Sequence, residues 1–395
     1  MRLPPLFFAA ITLLAGCRKD PSGKAGQTTP VIQELSPATD GPGALVSIRG
    51  SGFGTTLSAL TVDFNGQAAS LVSANDTLIR VTVPGQATTG KVHVTLNGKQ
   101  VTSTMDFVVL SGVWTRMADL PAYGRASVVA FTLKGLAYIV SGYNGGGTFQ
   151  DMYAYDPGSN TWTRKADPPF PGYYRSVGIS TATKGYLIGG AVVGSPRTKD
   201  LWEYDPDLDQ WTRKADFPGS ARYSGAGFSI QGKVYFGTGN DGSDLNDWWE
   251  YDPGTDTWTR KADFPGAPRS YAMALGFDDH GYLGLGAFYS PTGNDWWKYD
   301  PVQDQWSRQA DYPGPVQTAY SGCFRIGSKA YISGGQYQAC WEFDTQSGHW
   351  TQKTSHPTTR LEGIGFALGN TGYLCLGTTE QVFLDRDCWS FNPGQ

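Results

Sequence analysis

Three stretches of this chain are nearly interchangeable: DLWEYDPDLDQWTRKADFPG (200–219), DWWEYDPGTDTWTRKADFPG (247–266) and DWWKYDPVQDQWSRQADYPG (295–314). A segment written again at a steady period is a unit that cannot bury its apolar face alone and must stack on copies of itself. Trp114, Trp162, Trp211, Trp258, Trp306 and Trp350 mark the period, 44 to 49 residues from one to the next. That period suits one four-stranded propeller blade per repeat. Seven residues before the last five of these Trp stands another aromatic: Tyr155, Tyr204, Tyr251, Tyr299 and Phe343.

Each repeat divides into four strands, numbered here from the channel outward. The third strand holds pairs of aromatics two residues apart: Tyr153/Tyr155, Trp202/Tyr204, Trp249/Tyr251, Trp297/Tyr299, Trp341/Phe343 and Trp389/Phe391. A spacing of two puts both on one face of a sheet. That predicts a core of aromatics packed between blades, with a structural role. Asp156, Asp205, Asp252 and Asp300 precede Pro and read as turn formers.

With a double glycine after the second strand (Gly189-Gly190, Gly334-Gly335), this constellation resembles the kelch repeat over residues 112–395. Ser141-Gly142, Gly237-Thr238-Gly239, Leu285-Gly286 and Leu376-Gly377 depart from the double glycine, while the aromatic spacing persists. The last third strand, DCWSFNPG (387–394), lacks the Trp due seven residues after Phe391. At the front, VWTRMADLP (113–121) is a fourth strand with nothing before it. The two fragments complete each other, which predicts a six-bladed propeller over 111–395, closed by residues 112–120.

Length and composition agree. The 395 residues exceed one ordinary core, Gly (52) and aromatics (13%) are abundant, and helix-period stretches are absent, favouring short strands and many turns. Residues 30–110 hold further alternating runs: LTVDFNGQ, LIRVTVPG and KVHVTLNG. Such runs predict a β-sandwich. Pro37, Gly41, Gly43, VSIRGSGF (46–53) and Val83-Pro84 resemble the IPT/TIG family of immunoglobulin-like domains, which implies a spacer or binding module. His93 alternates with Val92 and Val94, so it is expected on the solvent face. The fold class expected is therefore all-β, an immunoglobulin-like sandwich plus a six-bladed kelch-type propeller.

The N-terminus reads as a targeting segment. Arg2 precedes a short apolar stretch ending in LLAGC (13–17), too short to span a membrane. It resembles the bacterial lipobox, which implies a signal peptide over 1–16, lipidation of Cys17 and a membrane partner through that anchor. Residues 17–29 then form a flexible tether, about 20 Å end to end. The expected location is the bacterial cell envelope, at the outer membrane.

The net charge is −4, and no basic stretch is interleaved with aromatics, so nucleic acid is not expected as a partner. Binding usually lies on varied loops of a rigid scaffold. Here these are the loops joining second to third strands, which carry Tyr143, Phe288, Tyr289 and Tyr337. The first strands begin near Arg125, Arg175, Arg222, Arg269, Gln317 and Arg360. Two readings stand open. Each Arg braces its blade by pairing with the preceding Asp (Asp119, Asp167, Asp216, Asp263), the plainer one. Alternatively the ring clamps a carboxylate, sulfate or polar sugar. Two residues further on stand Ser127, Val177, Ser224, Tyr271, Ala319 and Glu362. Glu362 is the acidic one, a candidate general base or sugar acceptor if it faces the channel, and a local ion pair if it faces Arg360 or a neighbouring blade.

No metal or cofactor is expected. His280, His349 and His356 fall on different turns and connections, and NDGSDLND (240–247) lacks the full EF-hand pattern. Cys375 and Cys388 fall in one hairpin and could be bonded, whereas Cys323 and Cys340 are expected as buried thiols. The function expected is binding of a glycan or protein ligand through the loop face. The alternative is a sugar epimerase or mutarotase acting on an acidic sugar, as some bacterial kelch propellers are.

Overall fold

The structure, a computed structural model, describes residues 29–286, 293–315, 322–379 and 384–394. Cys17 and the tether to residue 28 lie outside them, as do Phe288, Tyr289, Gln317 and Ala319. Among the described residues no helix is long and apolar enough to cross a membrane.

The N-terminal sandwich has two four-stranded sheets. One orders Val31–Ser36, Leu45–Ser51, Leu78–Thr82 and Ser70–Asn75, and the other Gln67–Ala68, Leu60–Phe64, Val92–Leu96 and Lys99–Thr102. The alternation sends Val46, Ile48, Val62, Phe64, Ile79, Val81, Val92 and Val94 into one core. His93 is half-buried on the other face and meets Asp63 at 2.8 Å.

Six four-stranded antiparallel sheets follow in a ring. Blade 1 comprises Val129–Leu133, Leu136–Val140, Met152–Asp156 and Thr161–Arg164; blade 2, Val177–Ser180, Gly185–Ile188, Leu201–Asp205 and Gln210–Arg213. Blade 3 comprises Ala226–Ile230, Lys233–Gly237, Trp248–Asp252 and Thr257–Lys261; blade 4, Met273–Gly276, Gly281–Gly284, Trp296–Asp300 and Gln305–Arg308. Blade 5 comprises Gly322–Ile326, Lys329–Ser333, Cys340–Asp344 and His349–Lys353. Blade 6 takes Ile364–Leu368, Thr371–Gly377 and Asp385–Asn392 from the end of the chain and Val113–Arg116 from its beginning, with Trp114 opposite Phe391. The ring is thus closed by the two ends of the propeller segment.

The seven-residue spacing is a cross-strand pair. Tyr155 faces Trp162 at 4.9 Å between ring centroids, and Tyr251 faces Trp258 at 5.1 Å, across hairpins turned by Asp156 and Asp252. Each turn Asp accepts a hydrogen bond from the N–H two residues on. The second aromatic of each third-strand pair, such as Tyr155 or Phe391, is fully buried. The first aromatic of each pair, such as Tyr153 or Trp389, is only half-buried, contrary to the expectation that both enter the core. In blades 3 and 4 it lies beside the outer strand's Arg, Trp249 by Arg260 and Trp297 by Arg308.

Blades also hold one another by latches. The Ala118 N–H, at the end of blade 6, donates to Asn160 Oδ1 of blade 1, and its carbonyl accepts from Trp162 Nε1. Ala215 with Asp256 and Trp258, and Ala262 with Asp304 and Trp306, repeat the arrangement. At the closure Trp114 Nε1 donates to the Thr354 carbonyl at 3.0 Å. Outer-strand sequence is repetitive because both sides of every latch must recur.

The sandwich abuts the seam between blades 5 and 6. Asp40 Oδ1 accepts from the Ser355 N–H at 2.9 Å, and Lys353 Nζ donates to Ser111 Oγ at 3.0 Å.

Candidate functional site

Five described blades carry, two residues before the first strand, a non-glycine residue with positive φ: Ser127 (53°), Arg175 (59°), Ser224 (51°), Tyr271 (57°) and Glu362 (52°). L-residues avoid this region, so the surroundings must impose it. The constraint is visible in the backbone. Ser127 N–H donates to the Glu362 carbonyl, Arg175 N–H to Ser127, Ser224 N–H to Arg175 and Tyr271 N–H to Ser224, at 2.8–3.2 Å. Main-chain bonds therefore run from blade to blade round the channel mouth, and their side chains line it.

This register decides between the two readings of the leading arginines. Arg125, Arg222, Arg269 and Arg360 are at most 2% exposed and turned into their own blades. Each makes a two-pronged pair with the Asp that opens the third strand: Asp151, Asp247, Asp295 and Asp387. Arg–carboxylate forks of this kind satisfy both groups in a dry site. Burial pushes the Asp295 and Asp387 carboxyls up, but the hydrogen bonds and charge of Arg269 and Arg360 outweigh it and hold both below the usual carboxylate range. The preceding aspartates named from sequence, Asp119, Asp167, Asp216 and Asp263, pair instead with the outer-strand Arg116, Arg164, Arg213 and Arg260 on the surface. Bracing is thus the arrangement observed, through different carboxylates.

Arg175 is the exception. In blade 2 the bracing place belongs to Tyr173, whose hydroxyl donates to Asp200 Oδ2 at 2.7 Å. Arg175 stands two residues later, at the channel position given from sequence to Val177. Its Nη2 donates to Glu362 Oε1 at 2.9 Å, and Glu362 Oε2 accepts from the Ser127 hydroxyl. Of the two pairings expected from sequence, Glu362 thus makes the one with another blade, across blade 1 to Arg175, and not the one with Arg360. Tyr174, Tyr223 and Tyr271 surround the Arg175 guanidinium at 5.2–5.6 Å, within cation–π range.

Two cavities meet at this pair. A throat of about 130 Å³ is lined by Ser127, Ser224, Tyr271, Arg175 and Glu362. A rim cavity of about 560 Å³ opens beside it, over Tyr143, Tyr174, Val193, Leu361 and Leu384, sharing Arg175 and Glu362. Its volume is that of an ordinary small-molecule site. Tyr143, Tyr174 and Tyr223 form a row, with ring centroids 5.6 and 6.5 Å apart. Tyr337, also named from sequence, is exposed on blade 5, outside the linings of both cavities. Tyr174, Tyr223 and Ser127's bond to Glu362 escaped the sequence reading. Of the five ring residues, the sequence reading placed Ser127, Ser224, Tyr271 and Glu362 correctly and missed Arg175.

Below the throat the channel is lined by Ala130, Gly178, Gly227, Ala274, Cys323 and Gly365 of the inner strands. A Cβ on Gly178 would collide with the Ala130 carbonyl, so glycine there lets inner strands approach. Cys323 is half-buried here rather than buried as expected, while Cys340 is buried. Burial pushes the Cys323 thiol up to about 11. Cys375 and Cys388 are joined by a disulfide between adjacent strands of blade 6. Among the described residues no group of His, Cys, Asp or Glu has a metal-binding arrangement.

Fold and repeat together define an all-β protein of the kelch-propeller class behind an IPT/TIG sandwich. Comparison with known proteins agrees. Residues 30–109 match the IPT/TIG domain model, and residues 118–283 match that of the KLHDC2/KLHL20/DRC7 Kelch-repeats domain. The solved structure of YjhT resembles the chain with a TM-score of 0.59, covering 69% of this chain and 95% of that one at 16% identity, a likeness of fold. Cyclomaltodextrin glucanotransferase of Bacillus sp. (strain 6.6.3) is 36% identical over 107 residues, and that of Niallia circulans 35% over 105. Each match takes in 26% of this chain, but only 15% and 14% of those enzymes' own lengths.

Proposed function

We propose that this chain is a lipid-anchored protein of the bacterial envelope whose propeller binds a glycan at the channel mouth, over blades 6, 1 and 2. One observation carries the binding part: a tyrosine row beside an Arg175–Glu362 pair, opening on a cavity of about 560 Å³. A sugar ring presents an apolar face and a polar edge. Tyrosines offer faces to the first, while the guanidinium and carboxylate offer donors and acceptors to the second. A concave opening suits a sugar better than the flat surface of a protein partner. The anchoring part rests on LLAGC (13–17) and its resemblance to the lipobox.

A glycan array probed with the unlipidated Cys17→Ala protein tests the reading, with Tyr174→Ala as control. Specific glycan signals lost in Tyr174→Ala are expected, and a blank array beside a specific protein captured by pull-down would overturn it. For the anchor, Cys17→Ala is expected to leave the membrane fraction.

A second reading, a sugar epimerase or mutarotase, is favoured by Glu362 alone, whose carboxylate borders both cavities. It has one arginine beside it rather than a ring, since the other four described are committed to their blades. Interconversion of sugar forms followed by NMR, abolished in Glu362→Gln, is the result this reading requires.

A further inference from the structure

We propose that the ligand is an oligosaccharide, whose first unit sits at the channel mouth while later units run outward over blade 1 onto Tyr123 and Phe149. This rests on the glycan reading and specifies the length of ligand that the face is built for. Tyr123 is 79% exposed, yet its ring stacks on Phe149 at 6.4 Å and 18°. A lone exposed aromatic is ordinary; a near-parallel pair, one ring exposed and the other half-buried, is a platform.

The platform is anchored. The Arg125 guanidinium lies over the Phe149 ring at 3.9 Å, and its Nε donates to the Tyr123 carbonyl at 3.2 Å. Arg125 is itself pinned by Asp151 and the Ser141 carbonyl. Two other bracing arginines, Arg222 and Arg269, lie over Phe217 and Phe264, rings fully buried behind the outer strand. Blade 1 has Leu120 at that place in its repeat, and its ring comes instead from the loop carrying Tyr143. An irregular repeat has thus moved an aromatic from the core to the loop face.

The platform is also continuous with the rim cavity. Gly124, next to Tyr123, packs so closely on Leu384 that a Cβ would collide with its carbonyl. Leu384 and Tyr143 line the cavity, and Tyr143 bridges to Ala126 and Thr148, each close in sequence to the platform. Throat, rim and platform therefore follow one another outward, with aromatic faces at the last two. A single sugar would leave the platform unused, whereas a chain of sugars, apolar on its faces, matches such a file of rings.

Calorimetry with length series of malto-, cello- and chito-oligosaccharides, from one to six units, tests this on the full Cys17→Ala protein. In at least one series, affinity is expected to rise about tenfold as units reach the platform, the effect of one stacking contact. Tyr123→Ala and Phe149→Ala should remove that gain and leave the shortest binding sugar unchanged, while Tyr123→Phe should keep it. Tyr123→Ala concerns an exposed side chain, so its result does not depend on folding. An identical length dependence in Tyr123→Ala, or no gain with length in the parent protein, would overturn the platform and leave the glycan reading standing. Silence from all three series and from the glycan array would remove both.

Discussion

The outer half of each blade and its inner edge are built by opposite rules. Outer hairpins repeat nearly letter for letter, because each latch needs the Ala of one blade and the turn acceptor and Trp of the next. Along the channel mouth the main-chain ring repeats, but its side chains do not: Ser, Arg, Ser, Tyr and Glu occupy equivalent places. A position whose backbone forms the repeated bond can change its side chain without breaking the ring. Charge follows the same division, for four arginines brace blades in the dry interior while Arg175 faces the cavity.

Removing an outer element should have the largest effect. Trp114→Ala deletes a buried ring from the closing strand and is expected to cost about 3–5 kcal/mol. By the same logic a fragment spanning 111–395 should melt well above one spanning 121–395. Equal melting temperatures would break the idea that the closing strand holds the ring.

The two classes of arginine give a sharper comparison. Arg222→Ala strands Asp247 in a buried site, at a cost of about 3–5 kcal/mol. Arg175→Ala, whose side chain is itself 24% exposed at the mouth, should cost less than Arg222→Ala while abolishing glycan binding. Chemical denaturation of both variants decides, and equal losses would mean that Arg175 is one more brace.

The same pairs set an acid limit. Asp295 and Asp387 have folded values below their usual 3.8. A depressed folded value contributes stability that is fully present above 3.8 and lost as pH falls below it toward the folded value. Melting temperature should therefore fall steeply once the pH drops under about 4. Asp387→Asn should flatten part of that slope, and an unchanged slope would relocate the titration elsewhere.

The smallest effect separates one latch from another. Trp258→Phe removes the Nε1 bond to the Ala215 carbonyl and should cost about 1 kcal/mol beyond the change of ring. Trp211 Nε1 is buried without a hydrogen-bond partner among the described residues, so Trp211→Phe should cost less. Matching losses would show that packing, not the hydrogen bond, holds the latch.

The bracing pairs were more legible than they looked. The Asp opening DLWEYDP, DWWEYDP and DWWKYDP is the partner that the inner-strand arginine or tyrosine needs. The fifth repeat, with Ala339 at that place, also has no Arg between Tyr312 and Gly322. What misled was the nearest Arg in PGYYR (171–175). Tyr173 had taken over the brace, so the visible Arg lay two residues out of register. No local pattern distinguishes a bracing Arg from a channel-facing one, since both precede the same short strand.

Blade number and the aromatic core could be read from the chain because they rest on short-range geometry, and the closing strand because 113–121 and 387–394 each show part of one repeat. A seven-residue Tyr–Trp spacing is one hairpin, and a hairpin needs only its own residues. The mouth could not be read this way. Arg175 and Glu362 are 187 positions apart, and they meet because blade 6 closes against blade 1 and leaves Ser127 between them. Tyr123 and Phe149 become neighbours only when the loops of blade 1 fold over Arg125. Repetition specifies the ring through contacts that every blade shares, whereas the site consists of exceptions to the repeat, brought together only by closure of the ring.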